Sequence, residues 1–201
     1  MIFFTADCHF HHANIIRYCD RPFASVEEQD RNLEDNWNAT VGKDDEIWVL
    51  GDFSFCDPVP ILARLNGRKH LIRGNHDYKN NRSIKWEQPM VELKHGGRTL
   101  VLCHYPMVSW RASGHLQTIH LHGHSHGKYT HSKLAMDVGV DVNGFRPVSF
   151  DEVVRRMDAK RDELRRRYGD GHCPEYNEGV EQTTPAVDAG DSCAPYMEDD
   201  K

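Results

Sequence analysis

The sequence predicts an α/β sandwich built on a mixed sheet, and two observations carry that expectation. Short apolar runs alternate with amphipathic stretches in the order β-α-β-α-β, followed by mostly β segments and one closing helix. Five clusters of Asp, Asn and His stand directly after predicted strands. That is the sheet edge where α/β folds place their sites.

The elements follow in order. Residues 2–6 read as a strand, and residues 10–17 as a loop with a short helix. Residues 25–40 have helical spacing at Val26, Leu33 and Trp37, opened by Ser25 and Glu28 as a capping box. Residues 46–50 (EIWVL) form a buried type of strand, and residues 58–65 a helix stopped by Asn66-Gly67. Residues 69–73 are a third strand. Residues 90–94 and 98–103 flank Gly96-Gly97 and predict a hairpin. Residues 118–121 and 133–138 read as further strands. Ser149 and Glu152 form a second capping box, opening a helix that runs to about Tyr168. From Gly169 onward apolar periodicity gives way to Gly, Pro, Thr and acidic residues, which predicts one domain over residues 1–168 and a disordered acidic tail over 169–201.

Composition narrows the function. The chain has 201 residues, 38% hydrophobic, with four Trp, enough for one sizeable core. No apolar run approaches the ~20 residues of a membrane helix. The opening six residues lack a basic n-region and an apolar h-region, so no signal peptide and a cytoplasmic location are expected. None of the six cysteines (Cys8, Cys19, Cys56, Cys103, Cys173, Cys193) sits in a C-x-x-C pair, which suits reduced thiols. The net charge is −6, but residues 169–201 hold nine acidic residues and one lysine, so the first 168 carry +2. A body so near neutral does not advertise a nucleic-acid surface. Histidine is the outlier, with 14 copies gathered largely at strand ends.

Five motifs carry the chemistry. Asp7-Cys8-His9 places a carboxylate and an imidazole two residues apart, on one side of an extended segment. Gly51-Asp52 ends the EIWVL strand with a carboxylate. Gly74-Asn75-His76-Asp77 offers a neutral carbonyl ligand in Asn75 and a proton donor in His76. His104 ends the strand 98–103. His122-Gly123-His124-Ser125-His126 repeats imidazoles beside a glycine that permits close backbone approach. Each motif alone has a plainer reading, as a capping aspartate, an ordinary turn or a structural histidine. Their joint order does not.

The set D-x-H, G-D, G-N-H-D, H and G-H-x-H resembles the calcineurin-like metallophosphoesterases, over residues 1 to 150 and with all five motifs intact. The resemblance implies a four-layer α-β-β-α sandwich with two mixed sheets and a binuclear metal site at the strand C-terminal edge. It implies that Asp7, His9 and His126 hold one metal, that Asn75, His104 and His124 hold another, and that Asp52 bridges them. His76 is then the acid or transition-state stabiliser, and Asp77 the residue that orients it. Two cations about 3.5–4 Å apart can clamp a phosphoryl group and generate a bridging hydroxide. Mixed His, Asn and Asp ligation suits Mn²⁺, Fe, Ni or Zn, with Mn²⁺ favoured here.

The implied activity is hydrolysis of a phosphomonoester or phosphodiester, with a small phosphate ester or nucleotide as substrate. A nuclease with the same site is the alternative, and nucleic acid is a possible partner that the charge does not indicate. A non-catalytic scaffold would have shed ligands, and none is lost. No membrane partner is expected. The stretches 10–23 and 138–147 resemble a bacterial and phage branch of small phosphoesterases. Within or near the site, His12, Arg17, Arg21 and Tyr105 are candidate substrate contacts, since Arg matches phosphate oxygens bidentately. Trp37 is assigned to the core, the charges of the closing helix to a solvated face, and Cys8 to a buried, inert role.

Overall fold

A computed structural model describes residues 1–77 and 84–169. The acidic segment expected to be a disordered tail therefore lies outside the described residues except for Gly169. Eight strands and four α-helices are described: β1 (Ile2–Thr5), α1 (Ala13–Tyr18), α2 (Val26–Thr40), β2 (Glu46–Leu50), α3 (Val59–Arg64), β3 (Arg68–Ile72), β4 (Met90–His95), β5 (Arg98–Cys103), β6 (Thr118–His122), β7 (Ala135–Asp137), β8 (Val148–Ser149) and α4 (Phe150–Tyr168). A short 3₁₀ turn, Val140–Val142, precedes β8.

The strands form two mixed sheets. In the first, β3-β2-β1 run parallel and β8 closes the edge antiparallel. In the second, β4 and β5 are the expected hairpin, with His95 opposite Arg98, and β6 and β7 continue parallel. Period-two alternation explains how the first sheet is covered on both faces. Phe4, Trp48, Leu50 and Ile72 point into a core shared with Leu100, Leu102, Ile119 and Leu121 of the second sheet. Phe3, Ile47, Val49 and Leu71 point the other way, onto Leu33, Trp37 and Ile61 of α2 and α3. The α/β architecture with two mixed sheets is thus present.

Local signals act as the sequence suggests. The Ser25 side chain accepts from the Glu28 amide, and Ser149 accepts from the Glu152 amide, each at a helix start. Trp37 is buried, and its indole N–H donates to the Asn66 carbonyl at 3.0 Å. Glu152 pairs with Arg155 and Arg156 on α4, in keeping with a solvated face, but Arg161 of the same helix is buried and donates to the Leu116 carbonyl. Among the described residues no helix is long and apolar enough to cross a membrane.

Candidate metal centre

Parallel β1 and β2 end side by side, and the loops that leave them meet the loops after β3, β5 and β6. Asp7 and His9 follow β1, Asp52 follows β2, and Asn75 and His76 follow β3. His104 follows β5, and His124 and His126 follow β6. The Asp7 amide donates to Gly51 O at 3.1 Å and the His9 amide to Asp52 O at 3.0 Å, locking the first two loops together.

These loops are not extended, as the i, i+2 argument for Asp7 and His9 supposed. Asp7 (φ 55°), His9 (53°), Asp52 (52°), His124 (66°) and His126 (46°) all lie in the left-handed region. Non-glycine residues adopt it uncommonly, Asp and His more readily than most, and such strain gathers where surrounding structure must hold a site. Five of the seven candidate ligands are so placed. What brings Asp7 and His9 together is therefore this left-handed backbone and not strand alternation. The motif glycines have a steric reason of their own. A Cβ at Gly74 would fall 2.2 Å from Asp52 Oδ1, and one at Gly123 would fall 2.7 Å from Asp7 Oδ2.

Among the described residues three groups of possible ligand atoms result: Cys19/His126/Asp141, which shares His126, and the two expected ones, Asp7/His9/His126 and Asp52/His104/His124. Asp52 Oδ2 lies between these two, 3.7 Å from His9 Nε2 and 3.5 Å from His104 Nε2. Its other oxygen accepts from the His76 amide at 2.9 Å. His104 Nδ1 donates to the Leu50 carbonyl at 2.8 Å, so in the neutral ring Nε2 keeps its lone pair. That lone pair faces Asn75 Oδ1 at 2.9 Å as well as Asp52 Oδ2. Three acceptors turned toward one another repel unless a cation lies among them. In the other group, Asp7 Oδ1 and His9 Nε2 are buried with no hydrogen-bond partner. Orphaned buried acceptors are costly. The donor set of this site thus fits divalent cations.

Electrostatics agree. Burial holds His9 well below the ordinary imidazole pKa, and the positive charges of Arg21 and His126 push it the same way. Burial also lowers His104 and His124, which favours their neutral form. Burial raises the Asp7 carboxyl well above its usual range, opposed by the His126 charge and reinforced by Asp137 and Asp52. His126 is the exception. Burial pulls it down, but its bond to Asp141, with help from Cys19 and Asp7, outweighs burial and takes it up to about 10.

A family model for calcineurin-like phosphoesterases matches residues 1–197. The chain belongs to the calcineurin-like phosphoesterase family. As a member it is a metal-dependent phosphoester hydrolase, and the ligand clusters above are where divalent metal fits. Its relatives include an uncharacterized protein of Methanocaldococcus jannaschii, 32% identical over 78% of this chain and 91% of that protein. The gene 66 protein of Mycobacterium phage L5 is 30% identical over 75% of this chain and 90% of its own length. A protein of unknown function from Aquifex aeolicus shares the fold at a TM-score of 0.59 and 22% identity, over 78% of this chain and 98% of that one.

The remaining expected residues are placed as follows. The His76 ring lies 5.6 Å from that of His9 and 5.1 Å from that of Phe55. Asp77 is fully buried, and its carboxylate accepts from the amides of Asp52 (2.7 Å), Phe53 (3.0 Å) and Gly74 (2.9 Å). It ties the Gly51-Asp52 and Gly74-Asn75 loops together, a broader task than the orientation of His76 expected of it. His12 stacks on Phe55 at 3.8 Å and sets its Nδ1 3.2 Å from His9 Nδ1. Tyr105 is 46% exposed and stands edge-on to His104 and His124 at 4.9 and 4.8 Å. Arg17 lies out on the rim, its guanidinium over the exposed Tyr18 ring.

Arg21 corrects its expectation. It is 4% exposed and its guanidinium is taken up by Asp141, Gln29 and the carbonyls of Asp7 and Cys8, so it has no N–H left for substrate phosphate. Sequence reasoning missed Asp141, Asp137 and Phe55. Asp137 accepts from Ser125 Oγ, Gly127 N and Gly139 N and so fixes the loop that carries His124 and His126. A signal for Asp141 did exist, because it stands inside the 138–147 stretch that the sequence singled out.

Proposed function

We propose that this chain hydrolyses a phosphate ester of a nucleotide-like alcohol at two divalent cations, with Mn²⁺ favoured. Asp7, His9 and His126 would hold one and Asn75, His104 and His124 the other, with Asp52 shared. The observation that carries the reading is Asp52 Oδ2, set 3.7 Å from His9 Nε2 and 3.5 Å from His104 Nε2, between the two ligand groups. Two such cations, when bound, neutralise phosphoryl oxygens and bring water within reach of deprotonation near neutral pH.

The chain's own residues supply the rest. The His76 backbone is pinned to Asp52 Oδ1, which holds its imidazole over the His9 side of the site. From there it protonates the leaving oxygen as a general acid. Asp77 keeps the Asp52 and Asn75 loops at fixed separation, so that charges meeting the transition state are in place beforehand. His12, by its contact with His9 Nδ1, sets the tautomer that leaves His9 Nε2 as a lone pair.

Aromatic rings flank the mouth on both sides, with Phe55 and His12 near His9 and Tyr105 near His104 and His124. Flat rings at a mouth suit a leaving group with a planar base, which stacks at about 1–3 kcal/mol per base. The near-neutral body favours a small nucleotide over a long polyanion. Cys8, Cys19, Cys56 and Cys103 are unpaired, in keeping with a cytoplasmic setting.

A hydrolysis screen of the Mn²⁺-loaded protein tests this, using p-nitrophenyl phosphate, bis-p-nitrophenyl phosphate and a short single-stranded oligonucleotide, with Asp52→Ala as control. Asp52-dependent cleavage of either small ester supports the reading, and the preferred ester names monoesterase or diesterase. Cleavage of the oligonucleotide alone makes the chain a nuclease. No cleavage of any of the three, with metal bound, would sink the catalytic reading of these residues.

A further inference from the structure

Arg21 is an unusual residue to find in a core. A buried ion costs several kcal/mol to desolvate, and an ion pair seldom repays this as stability. Its return has to be sought in what it holds. Arg21 Nε donates to Asp141 Oδ1 at 2.7 Å, and Nη2 donates to Asp141 Oδ2 at 2.9 Å and to the Asp7 carbonyl at 2.8 Å. Nη1 donates to the Cys8 carbonyl at 3.1 Å and to Gln29 Oε1 at 3.0 Å. Gln29 Nε2 in turn donates to the His9 carbonyl at 3.3 Å. Three successive carbonyls, those of residues 7, 8 and 9, are thus gripped by one guanidinium and one amide.

Asp141 extends the grip across the chain. Its Oδ2 also accepts from His126 Nδ1 at 2.7 Å, which orients the ring that stands in the cluster with Asp7 and His9. The 3₁₀ turn carrying Asp141 is itself anchored, since the Val140 amide donates to the Ala6 carbonyl at 3.1 Å. One buried pair therefore fixes two loops that are far apart in sequence and that supply Asp7, His9 and His126. Its hydrogen bonds go to residues 7, 8, 29 and 126, and none goes to Asn75, His104 or His124. That second set takes no bond from the pair: His104 is held by the Leu50 carbonyl, the His124 amide donates to Asp7 Oδ2 at 2.8 Å, and both Asn75 and His124 are exposed.

We propose that Arg21 and Asp141 are positioning residues dedicated to one of the two cation positions, that of Asp7, His9 and His126, so that loosening the pair empties that position and spares the other. This rests on the two-cation reading above. Outer partners of ligating histidines carry about 10–100-fold in metal affinity, which sets the size of the effect.

The test counts metal rather than turnover. Full-length wild type, Asp141→Asn and Arg21→Lys are loaded with Mn²⁺, dialysed and assayed for ions per chain by elemental analysis and electron paramagnetic resonance. Asp141→Asn keeps the shape but loses the charge that faces Arg21 and His126. Arg21→Lys keeps the buried charge but loses the fork to the Asp7 and Cys8 carbonyls. The expected result is two ions in wild type and one in each variant. The spectrum of an isolated Mn²⁺ replaces that of a coupled pair, and the weakened position binds about 10–100-fold less tightly. Melting of the metal-free proteins separates a local effect from general unfolding, and if Asp141→Asn does not fold, Arg21→Lys decides by the same count. Two ions retained at wild-type affinity would overturn the assignment, and so would the loss of both ions together. Fewer than two ions in wild type would instead overturn the two-cation reading, and that is seen before any variant is made.

Discussion

Among the described residues two histidine clusters can be compared, one built on β6 itself and one in the loops beyond the strand ends, and they differ in whether they look like a metal centre. His120, His122 and His131 have ring centroids 4.8 to 6.0 Å apart, spacing as tight as that of His9, His76 and His126 at the candidate site. The difference lies in the nitrogens. His120 Nδ1 donates to the Val101 carbonyl, and its Nε2 accepts from the Met107 amide while standing 3.2 Å from the Tyr105 carbonyl. His122 Nδ1 donates to the Gly123 carbonyl, and its Nε2 accepts from His131 Nε2 at 3.0 Å. In that cluster each of these nitrogens has a donor or acceptor partner. At the candidate site, Asp7 Oδ1 and His9 Nε2 are left without partners, carboxylates are interleaved with the rings, and the backbone is left-handed. Histidine count does not mark a metal centre. Buried acceptors left without a donor do.

The sharpest way to break the contrast is Asp52→Ala. It removes the carboxylate that lies between both ligand groups, and is expected to release metal and cut turnover at least a thousandfold, on the order of losses at central electrostatic groups. His131→Ala, in the other cluster, is expected to leave metal content and turnover unchanged. It strands His122 Nε2, so the melting temperature falls by the equivalent of about 1–3 kcal/mol. Metal loss from His131→Ala would erase the distinction.

Within the candidate site, His76→Ala sharpens the division between ligand and acid. It is expected to keep both ions and lower kcat about 10²–10⁴-fold. Parallel loss of metal and rate would make His76 a ligand.

Acid should affect the metal-free protein through both clusters. Burial lowers His120 to about 4, burial with the neighbouring His122 charge lowers His131 to about 3, and burial with the His76 charge lowers His12 to about 4. The sign follows directly. The unfolded chain takes up these protons near the ordinary imidazole pKa of about 6.5, while the folded chain resists until about 4 or below. Stability should therefore fall as pH drops from about 6.5 toward 4. His126 acts in the opposite sense, because its pKa is raised to about 10. Its contribution is full below about 6.5 and fades as pH climbs toward 10. A denaturant series on apo protein from pH 4 to pH 9 should show a rise and then a shallower decline. A flat profile would mean that neither cluster is held in its assigned protonation state.

Much of this was legible in the sequence for local reasons. The EIWVL strand, the Gly96-Gly97 hairpin and the capping boxes at Ser25 and Ser149 each rest on a few adjacent residues, and the structure keeps them. The ligand motifs were legible because each is a tight cluster of unusual residue types. What escaped needed the fold. Arg21 read as a phosphate contact because nothing near it in sequence reveals Asp141, 120 positions away. The two-residue strand β8 is too short for any periodicity. The left-handed backbone at Asp7 and His9 is a matter of geometry that composition does not encode, and Phe55 belongs to the mouth only because β1 and β2 end together.

The most direct test of the central claim is anomalous diffraction from crystals of the Mn²⁺-loaded protein. Two peaks flanking Asp52 Oδ2 are expected, one within reach of Asp7, His9 and His126 and one within reach of Asn75, His104 and His124, with none between His122 and His131. A single peak, or a peak among His120, His122 and His131, would contradict the account.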